Sequence, residues 1–277
     1  MMNIVVTGSS TGIGRALVLR LLGEDHNVWG VARSEQARID AGHGGSFDAS
    51  ICDVARWDEI ERAAAQVAAR WKHVDGLVCC AGSHGEVGPA VKADPRQWSA
   101  TVRANLGGTF NSVRAFHGLL VRAPRRAKIV CFAGGGATKA RANFSAYGVA
   151  KTGIVRLVET IAEEELQAPL DINAVAPGAI TTRLTDEIIA LGPDIAGQKE
   201  FETAVAQKAG GGASLERALD LVEWLLSPKS DGISGKLLSA PWDPWQGLGS
   251  RAGDLAASDV YTLRRILPED RGMKFQP

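Results

Sequence analysis

Tyr147 and Lys151 stand four positions apart in the stretch Tyr147-Gly148-Val149-Ala150-Lys151. On a helix this spacing puts both side chains on one face. A phenol is a poor acid or base at neutral pH because its ordinary pKa is about 10. An ammonium beside it favours the phenolate by direct electrostatics. The pair is therefore a candidate for moving a proton to or from a substrate oxygen.

A second group of residues suits a phosphate. In Thr7-Gly8-Ser9-Ser10-Thr11-Gly12-Ile13-Gly14, the glycines at 8, 12 and 14 let the backbone turn tightly and approach a pyrophosphate. A helix that starts there adds N–H donors and a partial positive charge. The apolar run before residue 33 ends in Arg33-Ser34, with no carboxylate until Glu35. An acidic residue here would bind a ribose 2′-hydroxyl, whereas an arginine accommodates a 2′-phosphate through two parallel hydrogen bonds. NADP is thus favoured as the cofactor, with NAD as the alternative.

These groups must be held by elements that alternate along the chain. Short apolar runs at 4–6, 28–32, 76–80, 128–132, 172–176 and 235–239 read as strands, and another ends near Asp53. Between them lie amphipathic helices. One carries Leu17, Val18, Leu21 and Leu22 and stops at Gly23; another is capped by Asp58 and buries Ile60, Ala64, Val67 and Trp71. Further helices are expected over 96–120, 145–166 and 215–226, with a loose segment near 180–209 and a short helix around 260–267. Strands alternating with crossover helices imply an α/β fold: a doubly wound, Rossmann-type parallel sheet of about seven strands with helices on both faces. Its ligand belongs beyond the carboxyl ends of the strands, where the strand order switches.

The chain has 277 residues and no linker rich enough to divide it. We read one dinucleotide-binding and catalytic domain over 1–240, with a tail over 241–277 that packs on the domain or on a partner subunit. Lys plus Arg and Asp plus Glu both total 31, so nothing points to nucleic acid or an anionic membrane. The N-terminus runs straight into an apolar strand without a signal-peptide pattern, and no apolar run reaches membrane-spanning length. Cys52, Cys79, Cys80 and Cys131 lack zinc spacing and read as free thiols in a reducing cytoplasm; no metal site is expected.

The spelling TGxxxGIG resembles the short-chain dehydrogenase/reductase family, and the likeness extends over roughly residues 3–240. Cys52-Asp53-Val54 looks like the family's adenine-contacting Asp-Val. Cys79-Cys80-Ala81-Gly82 matches Asn-Asn-Ala-Gly at Ala81 and Gly82 and departs from it at the two cysteines. The resemblance assigns Gly8, Ser10, Thr11, Gly12, Ile13 and Gly14 to the cofactor's phosphates, although Thr11 stands where many NADP-using relatives have a second basic residue. It assigns Pro177, Gly178, Ile180 and Thr182 to a loop holding the nicotinamide carboxamide. Tyr147 is implied as proton donor during reduction. Lys151 is implied to bind the nicotinamide ribose, and Asn105 to hold a water in the proton relay.

The family usually places a serine on the loop after the fifth strand, holding the substrate oxygen. Here that position falls on Gly134. The nearest hydroxyls are Thr138, which would require the glycine loop to fold back, and Ser145, which points away from Tyr147 on a helix. Loss of one such donor costs about 10²- to 10³-fold in rate without abolishing catalysis. A backbone N–H of the triple glycine or a water would be a substitute.

The implied function is an NAD(P)-dependent oxidoreductase acting on a hydroxyl or carbonyl of a small molecule, with alcohol, ketone and sugar substrates all open. The other readings are a silent nucleotide-binding regulator and an epimerase or dehydratase using transient oxidation. Arg183 is read either as facing an anionic substrate or as paired with Asp186 or Glu187. Trp242, Trp245 and Tyr261 either roof the pocket or pack the tail. The family's habit, and apolar residues around much of the Tyr147 helix, imply a homodimer or homotetramer.

Overall fold

The computed structural model describes residues 1–37, 39, 44–134 and 136–274. Val5 and its neighbours Ile4 and Val6 are all buried in β1 (Asn3–Thr7), as a strand covered on both faces requires. Around it β2 (Asn27–Ala32), β3 (Phe47–Ile51), β4 (Gly76–Cys79), β5 (Ala127–Phe132), β6 (Leu170–Ala176) and β7 (Leu237–Ser239) form one parallel sheet in the order β3-β2-β1-β4-β5-β6-β7. Alternate side chains leave each strand on opposite faces, so two cores form. Val5, Val31, Leu77 and Ile129 pack with α2 (Trp57–Arg70), α4 (Gly108–Leu120) and α5 (Ser145–Glu164). Ile4, Val6, Val78 and Val130 pack with α1 (Gly12–Gly23) and α8 (Leu215–Leu226) on the other side. The strand order switches between β1 and β4, which opens a crevice beyond their carboxyl ends.

Several boundaries differ from the sequence reading. Asp58 does not cap α2: Arg56 occupies the N-cap without a side-chain bond, and Asp58 lies inside the first turn, accepting from Arg56 and Arg62. Trp71 follows that helix and meets Trp29 edge-on, with ring centres 5.7 Å apart. The stretch from 96 to 120 is three elements: α3 (Pro95–Val102), capped by the Asp94 carboxylate, a π-turn at Arg103–Gly107, and α4. The segment expected to be loose holds α6 (Arg183–Ala196), entered through a capping box at Thr182, and α7 (Gln198–Ala206). Gly192, at φ 71°, and Pro193 kink α6, which hides its periodicity in the sequence.

The tail carries α9 (Ala252–Ala256) and no helix over 260–267, where Tyr261 has φ 62°. Trp245 is buried against Trp224 of α8, and the N–H of Leu237 on β7 donates to the Tyr261 carbonyl at 2.8 Å. The tail thus covers polar groups at the sheet edge that would otherwise stand unpaired.

Candidate active site

Three glycines shape the turn between β1 and α1. Gly8 and Gly12 take φ of 70° and 56°, which side chains disfavour. A Cβ on Gly14 would lie 2.3 Å from the Gly8 carbonyl oxygen, so only glycine lets the helix start so close to the strand. Thr11 makes no side-chain cap bond, and the first turn of α1 holds no acidic residue. The amide donors there remain available to an anion.

This turn floors a cleft of about 560 Å³. Of the residues expected to bind cofactor, Gly8, Ser10, Thr11, Gly12, Ile13, Gly14, Arg33, Ser34, Asp53, Val54, Ala81, Gly82 and Thr182 all line it. Val31, Ser83 and Ala104, which were not singled out from the sequence, line it as well, as do Cys52, Cys80 and Arg183. Pro177, Gly178 and Ile180 are not among its lining residues; Ile180 is buried beside α6, and Gly178 turns the chain at φ 91°. The donor-rich turn, the exposed Arg33 after β2 and the volume of the cleft fit a dinucleotide with its pyrophosphate on α1.

Tyr147 and Lys151 project from one face of α5, and neither is among the residues that line this cleft. Lys151 is buried and donates to the Phe132 carbonyl at 2.8 Å, with its Nζ 5.4 Å from the Tyr147 ring centre. Burial pushes the Lys151 ammonium down to about 8. A Cβ on Gly82 would fall 3.5 Å from that Nζ and 2.6 Å from Asn105 Oδ1, so the cleft wall passes directly beside both. Asn105 sits fully buried in the π-turn, a helix irregularity common at functional sites. Its amide donates to the Ser83 and Thr101 carbonyls, both at 2.9 Å, and its Oδ1 accepts from the Ser83 N–H at 3.3 Å.

Burial raises the Tyr147 pKa above that of an ordinary phenol, and the cation opposing this is Arg141, not Lys151. The sequence reading, in which Lys151 draws Tyr147 toward the phenolate, is corrected here: Lys151 is itself desolvated and turned to the Phe132 carbonyl. Arg141 lies 3.9 Å over the Phe144 ring and 5.8 Å from the Tyr147 ring centre, held by Glu200 of α7. His84 completes the group, edge-on to Phe144 and Tyr147 at ring-centre distances of 5.3 and 5.0 Å. Burial, helped by Arg141 and Lys151, lowers the His84 pKa to about 3, so the imidazole is neutral. Neither Arg141 nor His84 stood out in the sequence.

Gly134 has φ 143°, and a Cβ built on it would approach the Tyr147 hydroxyl to 3.5 Å. Gly135 lies outside the described residues. Thr138 is exposed, and Ser145 is occupied as acceptor of the Trp98 Nε1 donor at 3.0 Å. Arg183 pairs with Glu187 at 3.1 Å, while Asp186 pairs with Lys208. Trp242 is 85% exposed, and Trp242, Trp245 and Tyr261 are absent from the cleft lining.

A family model for short chain dehydrogenase matches residues 2–190. A short chain dehydrogenase of Monascus purpureus, mpl6, is 28% identical over 277 residues, spanning 95% of this chain and 88% of the relative. A 3-oxoacyl-acyl-carrier-protein reductase of Staphylococcus epidermidis is 27% identical over 242 residues, spanning 84% and 95%. The crystal structure of levodione reductase superimposes with a TM-score of 0.77 at 23% identity, covering 91% of this chain and 98% of that one; this likeness speaks for the fold.

Proposed function

The chain belongs to the short-chain dehydrogenase family of nicotinamide-dependent oxidoreductases, and from that premise we propose that it reduces a small-molecule ketone using NADPH. One observation carries the reading. The Tyr147 phenol holds its proton more tightly than usual, on the same helix face as Lys151, whose Nζ lies beside the cleft-lining Gly82. Such a phenol is suited to donate a proton only to an oxygen that is becoming strongly basic.

When bound, the reduced nicotinamide supplies hydride to the carbonyl carbon. Tyr147 gives its proton to the carbonyl oxygen as that oxygen gains charge. Lys151 binds the nicotinamide ribose. Asn105 fixes the Gly82-Ser83 loop and carries the relay water. Arg33 and Ser34 take the 2′-phosphate, and Asp53 and Val54 the adenine. Gly8, Ser10, Thr11, Gly12, Ile13 and Gly14 cradle the pyrophosphate beneath Ala81 and Gly82. Pro177, Gly178, Ile180 and Thr182 hold the carboxamide.

The same reading extends to assembly and place. Trp98, Val102, Leu106, Phe110 and Leu157 line an apolar groove along α3, α4 and α5, and Phe110 and Val149 are about half exposed. We take this face as the seat of a second copy, with a homodimer as the smallest unit. The four free thiols suit the cytoplasm.

The test is oxidation of NADPH, followed by the absorbance of the reduced nicotinamide, with ethyl acetoacetate, acetophenone and camphorquinone. At least one should be reduced, faster with NADPH than with NADH. A chain that oxidises neither cofactor with any of the three would overturn the reading.

A further inference from the structure

Gly134 leaves the Tyr147 hydroxyl without a hydroxyl neighbour at the point where a side chain would come within 3.5 Å of it. A lone donor facing a developing oxyanion is a weak arrangement, since each preorganised donor is worth about 10²- to 10³-fold in rate. Besides Arg141 and Lys151, the polar side chain packed on Tyr147 is His84, which follows the cleft-lining Ser83. His84 is 6% exposed, yet its Nδ1 is buried without a hydrogen-bond partner. The carboxylate nearest to it, Glu187 Oε2, stands 3.9 Å away, beyond hydrogen-bond reach, and the other oxygen of Glu187 is held by Arg183.

A buried polar atom left unpaired is costly, and a catalytic role is one of the few reasons a folded protein keeps one. Mere packing between Phe144 and Tyr147 would be served at least as well by phenylalanine. We propose that His84 is a second hydrogen-bond donor to the substrate oxygen, sharing with Tyr147 the task that a hydroxyl at position 134 would otherwise perform. The proposal rests on the reductase reading above. A neutral imidazole carries one N–H, so it donates without becoming the proton source, and Tyr147 keeps that role. The charged groups around it are Arg141, Lys151 and Glu187; burial, with the two cations, keeps the ring neutral, and Glu187 is too far to bind its proton. The apolar cluster of Phe144, Ile188 and Val87 alongside suits a ketone with an alkyl or aryl flank.

Two variants test this on whichever of the three ketones the wild-type protein reduces fastest. His84→Phe keeps the ring packing and removes both nitrogens; His84→Gln keeps a donor. His84→Phe should lower kcat by about 10²- to 10³-fold with KM little changed. Its calorimetric Kd for NADPH should be unaltered and its denaturation midpoint unchanged or higher, because an unpaired nitrogen has been removed. His84→Gln should recover much of the lost kcat. A His84→Phe protein with near wild-type kcat overturns the proposal, and so does a clear fall in its midpoint together with weakened NADPH binding, which marks a structural role. A wild-type chain that reduces none of the ketones, or a Tyr147→Phe variant with undiminished kcat, overturns the reductase reading itself. That outcome is distinct from one in which only the His84 variants behave like wild type.

Discussion

Arg33 follows β2, is exposed, and lines the cleft together with Ser34 and Asp53. A hydrogen-bonded pair involving a charged group contributes about 1.5 to 3 kcal/mol, roughly 10- to 100-fold in affinity. Replacing Arg33 by Ala should therefore weaken NADPH by about that factor in a calorimetric titration and leave NADH almost untouched. Equal losses for the two cofactors would contradict the phosphate assignment. Arg33, Tyr147, Lys151 and the turn glycines were legible because each acts through local spacing. His84 was not, because its meaning depends on the loop after β4 folding onto α5, a contact across 63 positions (147 − 84) that no periodicity marks. Arg141 was missed for a similar reason: its partners Phe144 and Tyr147 are near in sequence, but Glu200, which aims it, is on α7.

Most strands were readable as elements because β1, β2, β4, β5 and β6 are short apolar runs buried on both faces, and α1, α5 and α8 because their apolar stripes are unbroken. The elements over the cleft were not. Gly192, Pro193 and Gly197 interrupt the pattern of α6 and α7, and the tail has too few apolar residues to set a period. The carboxyl ends of β3, β4 and β5 also carry the thiols, and these give the fold a pH dependence. Burial pushes Cys52 and Cys80 up to about 12, while hydrogen bonding to Cys131 followed by burial raises Cys79 well above its usual value of 9.0. In the unfolded chain these thiols ionise near pH 9.0, so the stability they contribute is full below that pH and is lost as pH rises toward 12. Burial also raises Tyr147, in the same sense. Lys151 and Lys236, both lowered by burial, act oppositely, gaining stability as pH approaches 10.5. Burial raises Tyr261 too, so three thiols and two phenols outnumber two amines, and the denaturant midpoint measured with reductant present should fall above pH 9. A midpoint that climbs through that range would contradict this accounting.

At the scale of the whole molecule, the sheet divides the work. Its β1 and β4 ends bring the Gly-rich turn and the loop to Ser83 together at the switch in strand order, while α5 brings Lys151 beside Gly82 at the same rim. The tail closes the β7 edge and packs Trp245 behind the sheet, away from the cleft. The apolar groove on α3, α4 and α5 faces outward. No described helix is long and apolar enough to cross a membrane. Everything converges on one aromatic hydroxyl, so the most direct measurement is the single-turnover rate of ketone reduction by Tyr147→Phe with NADPH already bound. Loss of a positioned proton donor should slow that step by about 10²- to 10⁴-fold while the Kd for NADPH stays at the wild-type value. A Tyr147→Phe protein that binds NADPH normally and turns over at the wild-type rate would contradict the account.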